Sequence, residues 1–119
     1  MTYVTNNIFA RILRGEIPCN KVYEDDHVLA FHDIHPLRKV HVLVLSKGSY
    51  KTSLDFSENA TDAEIIALWR ALPKVVDALN LRDDGYRIIN NCGKHGDPHV
   101  PHVHFHILGG EPVGPVVSS

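Results

Sequence analysis

Cysteine is scarce in this chain of 119 residues, and several other features are missing with it. Cys19 and Cys92 cannot build a disulfide framework, so a reduced, cytoplasmic setting is expected. No apolar run approaches membrane-spanning length. Residues 1–11 hold no basic region followed by an apolar one, so neither a membrane span nor a secretory signal is expected. There is no excess of positive charge. Twelve Lys and Arg face fourteen Asp and Glu, and a net charge of −2 leaves no basic footprint for nucleic acid. Internal repeats, low-complexity stretches and charge blocks are also absent. What remains, 44% hydrophobic and 22% charged residues, fits one folded domain over 1–119 rather than disorder. Histidine is what the chain has in excess. There are nine, and protonating all of them would carry the charge from −2 to +7.

The pattern along the chain predicts an α+β domain. Ile8, Phe9, Ile12 and Leu13 form a helical stripe, with Thr5, Asn6 and Asn7 as capping candidates and Gly15 as the stop. Lys21–Glu24 and His27–His32 read as strands around the turn-like Asp25-Asp26. Val40–Leu45 reads as a strand with Val40, Val42 and Val44 on one face and His41, Leu43 and Leu45 on the other. Residues 49–60 read as irregular. A long helix is expected from Thr61, where Thr61 and Glu64 have capping-box spacing, with a stripe of Ile65, Leu68, Trp69, Leu72, Val76 and Leu79. Pro73 inside it predicts a kink. Tyr86–Asn90 and His102–Leu108 are the last strands, separated by a loop rich in Gly, Pro and Asp, and residues 111–119 form an irregular tail. Short connections with one short and one long helix favour an antiparallel sheet of about five strands.

His102-Val103-His104-Phe105-His106-Ile107-Leu108 carries most of the chemistry. On a strand the three histidines share one face, with same-face neighbours about 6.5–7 Å apart. A solvent-facing polar stripe accounts for one such histidine but not for three. A metal site is one reading, with His41 or a cysteine as a distant ligand, but neither Cys-x-x-Cys nor His-Glu-x-x-His is present. Covalent catalysis at phosphorus is the other. A neutral imidazole attacks while its second nitrogen is held by an acceptor, and neighbouring histidines donate to phosphoryl oxygens or the leaving group.

The segment resembles the histidine triad (HIT) family, whose signature is His-φ-His-φ-His-φ-φ with φ apolar. Ile8-Phe9, Glu16-Ile17-Pro18, Glu24-Asp25-Asp26, Ala30-Phe31-His32-Asp33-Ile34, His41, Gly85-Tyr86-Arg87 and Gly109-Gly110 extend the likeness over roughly residues 7 to 110, toward the Hint branch of purine nucleoside phosphoramidases and related nucleotide hydrolases. The resemblance implies a homodimer whose antiparallel sheets join into one. It implies His104 as the nucleophile that forms a nucleotidyl-histidine intermediate, His102 and His106 as its flanking partners, and His41 as support from an adjacent strand. It implies Asp33 on the ribose hydroxyls, Ile8, Phe9, Ile12, Ile17, Phe31, His32 and Ile34 as walls of the base pocket, and Asn91 near the phosphate.

Two departures from the family pattern stand out. Asp97-Pro98-His99 replaces the usual polar loop before the triad, so either His99 supplies a fifth imidazole to the phosphate or the loop alters leaving-group preference. The Cys-x-x-Cys that many bacterial relatives carry in the first helix is replaced by Asn7 and Ala10, so bound zinc and other metals are not expected. Cys19 reads as buried or idle, and His27, His35 and His95 as surface residues. The expected function is metal-independent hydrolysis of a phosphoramidate or related bond at the α-phosphate of a purine nucleotide or nucleotide conjugate. The alternatives are a dinucleoside polyphosphate hydrolase or nucleotidyl transferase, a catalytically weak nucleotide-binding scaffold and, third, a metal-binding protein. No nucleic-acid or membrane partner is expected.

Overall fold

The computed structural model describes residues 2–96 and 100–117. The chain runs α1 (Ile8–Leu13), β1 (Lys21–Glu24), β2 (Val28–His32), β3 (Val40–Ser46), α2 (Ser53–Asn59), α3 (Asp62–Ala78), β4 (Tyr86–Ile89), a 3-10 turn at Lys94–Gly96 and β5 (His104–Gly109). The five strands form one sheet in the order β1-β2-β3-β5-β4, antiparallel at every pairing. The α+β architecture expected from the sequence is therefore the one observed.

The sheet separates two apolar clusters. Val28, Ala30, Val42, Val44, Phe105 and Ile107 pack on one face beneath Leu68, Ala71, Leu72, Val75 and Val76 of α3. Leu29, Phe31, Leu43 and Leu45 pack on the other against Phe9 of α1. The alternation read along β3 decides this split, since residues two apart share a face. Register then places the histidines. Leu45 lies opposite His104 and Leu43 opposite His106, so both histidines stand on the α1 face while Phe105 and Ile107 anchor β5 from behind. Fully burying a side chain such as Ile107 stabilises the fold by about 1.5–3 kcal/mol, which makes β5 a firm support.

The helix ends follow local chemistry. Asn7 caps α1, its Oδ1 accepting from Ala10 N, and Gly15 closes the next turn with a φ of +78°. Thr61 and Glu64 form the expected capping box.

Four expectations need correction. Residues 53–59 are helical, because Thr52 caps Asp55 N and a lone Phe56 supplies the buried anchor, too little to produce an apolar stripe. The helices are therefore two short and one long. Trp69 is 53% exposed and not part of the core stripe, although its ring lies 6.0 Å from that of Phe105; Ala71 and Val75 are buried instead. The last strand begins at His104 rather than His102. The strand read as Tyr86–Asn90 ends at Ile89, because the Asn90 side chain bonds to His104 O.

The tail from Glu111 is irregular, as expected, but tethered. Arg38 donates to Val113 O at 2.7 Å, Arg87 to Gly114 O and Pro115 O at 2.5 and 3.0 Å, and Lys39 N to Glu111 Oε2 at 2.6 Å.

Candidate active site

β3, β5 and the chain just before β5 bring His41, His102, His104 and His106 together, but not as three equivalent imidazoles on one face. His104 and His106 are ring neighbours with centroids 5.2 Å apart. His102 precedes the strand, is 1% exposed, and is held by other partners. Its Nε2 lies 2.6 Å from Ser46 O, and its Nδ1 lies 2.5 Å from the Tyr3 hydroxyl. A carbonyl only accepts, so Nε2 carries the hydrogen and Nδ1 accepts from Tyr3. Burial lowers the His102 pKa, while the Ser46 carbonyl opposes that shift; the ring is neutral.

Backbone partners fix the hydrogens of the other rings as well. His104 Nδ1 donates to His102 O at 2.6 Å, so in the neutral ring the lone pair is on Nε2. Phe9 packs edge-on to His104, with centroids 4.9 Å apart, and limits its rotation. Leu37 N donates to His41 Nδ1 at 3.1 Å, so His41 carries its hydrogen on Nε2 and donates it to His106 Nδ1 at 2.9 Å. Nε2 is then the hydrogen-bearing nitrogen of neutral His106. Burial lowers the His41 pKa, with Asp33 acting in the opposite direction from 3.5 Å. Two adjacent imidazoles thus have complementary roles, one with an Nε2 lone pair and one with an Nε2 hydrogen.

A cavity of about 380 Å³ opens over this pair, within the range of small-ligand sites. Ile8, Phe9, Ile12, Ile17, Phe31, His32, Asp33 and Ile34, all anticipated as nucleotide contacts, line it with His104 and His106. Pro18, Cys19, His35, Leu43 and Val100 line it as well. Ile34 is 81% exposed and sits at the rim. A second cavity, about 350 Å³, lies beyond Asp33 and His106 and is lined by His35, Leu37, His41, Ile89, Asn91 and Leu108. Asn91 is therefore brought beside His106 and Asp33 rather than into the first cavity. His99, with Asp97 and Pro98, lies outside the described residues. A larger cleft of about 590 Å³ adjoins the first over Arg14, Lys21, Glu24 and Lys47, and no histidine among the described residues lines it.

His35 is exposed, as expected, and also lines both cavities, and Cys19 forms part of a cavity wall. Tyr3, Asn7, Ser46 and Leu37 were not singled out for the site. Asn7 was legible as a helix cap, but its Nδ2 also donates to the Tyr3 hydroxyl at 2.9 Å, a contact that only the folded chain creates.

Asp33, His41 and His106 each bring one potential ligand atom within 4.8 Å of the others. Ligation through His41 Nε2 would move its hydrogen to Nδ1, directly against the Leu37 N–H.

Comparison with known proteins gives the family and the fold. The HIT domain model matches residues 14–113. A 13.2 kDa HIT-like protein of Azospirillum brasilense is 50% identical over 118 residues, covering 99% of this chain and 97% of that protein. The purine nucleoside phosphoramidase of Escherichia coli K12 is 38% identical over 111 residues, covering 93% of this chain and 92% of the enzyme. Among solved structures, a histidine triad protein from Clostridium difficile superposes with a TM-score of 0.85 at 36% identity, covering 98% of this chain and all of that one. A HIT family hydrolase from Clostridium thermocellum gives 0.86 at 35% identity, covering 97% and 99%. With the histidine pair, its supporting strand and the adjoining cavity in place, the chain belongs to the histidine triad (HIT) family.

Proposed function

We propose that the protein is a purine nucleoside phosphoramidase-like hydrolase that works through a nucleotidyl-histidine. The observation that carries this reading is the paired hydrogen placement of His104 and His106 at the floor of an apolar cavity. The Nε2 lone pair of His104 attacks the α-phosphorus, and a bond forms between Nε2 and phosphorus as the bond to the leaving nitrogen breaks. The His106 Nε2–H donates to a phosphoryl oxygen or to the departing amine, and His41 supports it from behind. Water then attacks phosphorus, the Nε2–phosphorus bond to His104 breaks and the nucleoside monophosphate leaves. A proton from that water returns to His106 Nε2, so both imidazoles regain their starting states.

The apolar wall of Ile8, Phe9, Ile12, Ile17 and Phe31 suits a flat base, and the two oxygens of Asp33 suit a vicinal diol. Asn91 is available to the phosphate or leaving group from the second cavity. His102 acts as a buried support and touches no substrate. No metal takes part, since the His41 hydrogen occupies the position a ligand lone pair would need. The protein acts as a homodimer joined through the open edge of β4, where Tyr86 is exposed, with the exposed Trp69 of α3 as a further apolar contact.

The test is AMP release from adenosine 5′-phosphoramidate with and without a chelator. Turnover that is insensitive to chelation and lost in His104→Ala is expected. Binding without turnover would instead support a scaffold, and loss on chelation would restore a metal.

A further inference from the structure

We propose that Tyr3 and Asn7 are positioning residues for the nucleophile, acting through His102. The carbonyl that orders His104 belongs to His102, which lies outside the β3–β5 ladder; that register ends at His104 opposite Leu45. The sheet therefore does not hold this carbonyl directly. The chain there is fixed by His102 N bonding to Val100 O, by Val103 N bonding to Tyr50 O, and by the two ends of the His102 ring. One ring end donates to Ser46 O in β3. The other accepts from Tyr3, whose ring also packs edge-on at 5.6 Å.

Asn7 completes the arrangement. Its Nδ2 donates to the Tyr3 hydroxyl at 2.9 Å, which turns the hydroxyl hydrogen toward His102. Its Oδ1 meanwhile caps α1, the helix that carries the cavity residues Ile8, Phe9 and Ile12. A single side chain thus ties the wall of the cavity to the tautomer of the histidine that positions His104. Each donor in the series has one acceptor, so the hydrogens can be placed in only one way while His102 is neutral. Without the Tyr3 hydroxyl, the Nδ1 of a buried ring loses its donor, His102 reorients, and its carbonyl no longer selects the Nδ1–H tautomer of His104.

The rate part of the test rests on the nucleotidyl-histidine reading; the spectroscopic part does not. Tyr3→Phe keeps the ring and removes the hydroxyl. Asn7→Asp keeps an equally good cap but offers Tyr3 a competing acceptor, with the loss of the Asn7 bond to Val4 O as a side effect. Both variants are compared with wild type on adenosine 5′-phosphoramidate, and by nitrogen NMR of protein labelled at histidine. Losing one such hydrogen bond predicts a fall in kcat of roughly tenfold, with KM within about twofold. The spectra should show His104 changing from one tautomer to a mixture. Unchanged histidine spectra in Tyr3→Phe would overturn the proposal, as would an unchanged kcat or a loss confined to KM. A wild-type protein that does not turn over the substrate would instead count against the proposed function, leaving the spectra to judge the relay.

Discussion

His102 and His104 stand two residues apart in the chain and end in opposite circumstances. One is enclosed between Tyr3 and Ser46, and the other lines a cavity. Simple alternation predicts equivalence, and it fails because the strand begins only at His104. The identity of the site histidines was legible in the residues themselves. The division of labour was not, because it depends on an acceptor, Ser46 O, and a donor, the Tyr3 hydroxyl, brought from 56 and 99 positions away. Burial of neutral His41 and His102 has a consequence for stability. Both have folded-state pKa values below the ordinary 6.5, so the unfolded chain binds more protons as the pH falls through that value. Their contribution is fully present above about pH 6.5 and is lost on acidification toward the depressed values. Urea unfolding at a series of pH values should show stability falling below pH 6.5, with a shallower fall in His102→Asn. Stability that rises on acidification would contradict the neutral assignment.

At the scale of elements, regular alternation and paired capping residues were the dependable signals. β3 and α3 follow them closely, starting at Val40 and just after Thr61. α2 had neither signal in strength, since a seven-residue helix with one buried aromatic shows no periodicity. Trp69 was misplaced because a helical stripe defines a face but not the width of the surface that covers it; α3 lies across β1, β2 and β3 and leaves this ring at the border. Thr61→Ala removes the capping-box acceptor and should cost about 1 kcal/mol in chemical denaturation. Ile107→Ala empties a fully buried position behind the two site histidines and should cost about 2–5 kcal/mol by the same measurement. A cost near zero at Ile107 would mean that β5 is not anchored from its apolar face.

For the molecule as a whole, the site is a product of long-range assembly. α1 and the residues after it supply one wall, β2 and the following loop supply Asp33 and His35, and β5 supplies the floor. The family likeness anticipated most of these walls, residue by residue. It did not reveal His35, whose place on both cavities follows from the turn in which Asp33 Oδ1 accepts from His35 N. The open edge of β4 leads to a prediction about assembly. Light scattering after size exclusion should give the mass of a dimer, and Trp69→Glu combined with Tyr86→Glu should shift it to a monomer. A monomeric wild type would remove the joined sheet from the account.

The central claim is that His104 takes up the nucleotide covalently, and intact-mass spectrometry of acid-quenched protein tests it most directly. After brief mixing with adenosine 5′-phosphoramidate, wild type should carry one adenylyl group, which fragmentation places on His104, and His104→Ala should carry none. An adduct of equal yield in His104→Ala, or turnover undiminished in that variant, would contradict the account.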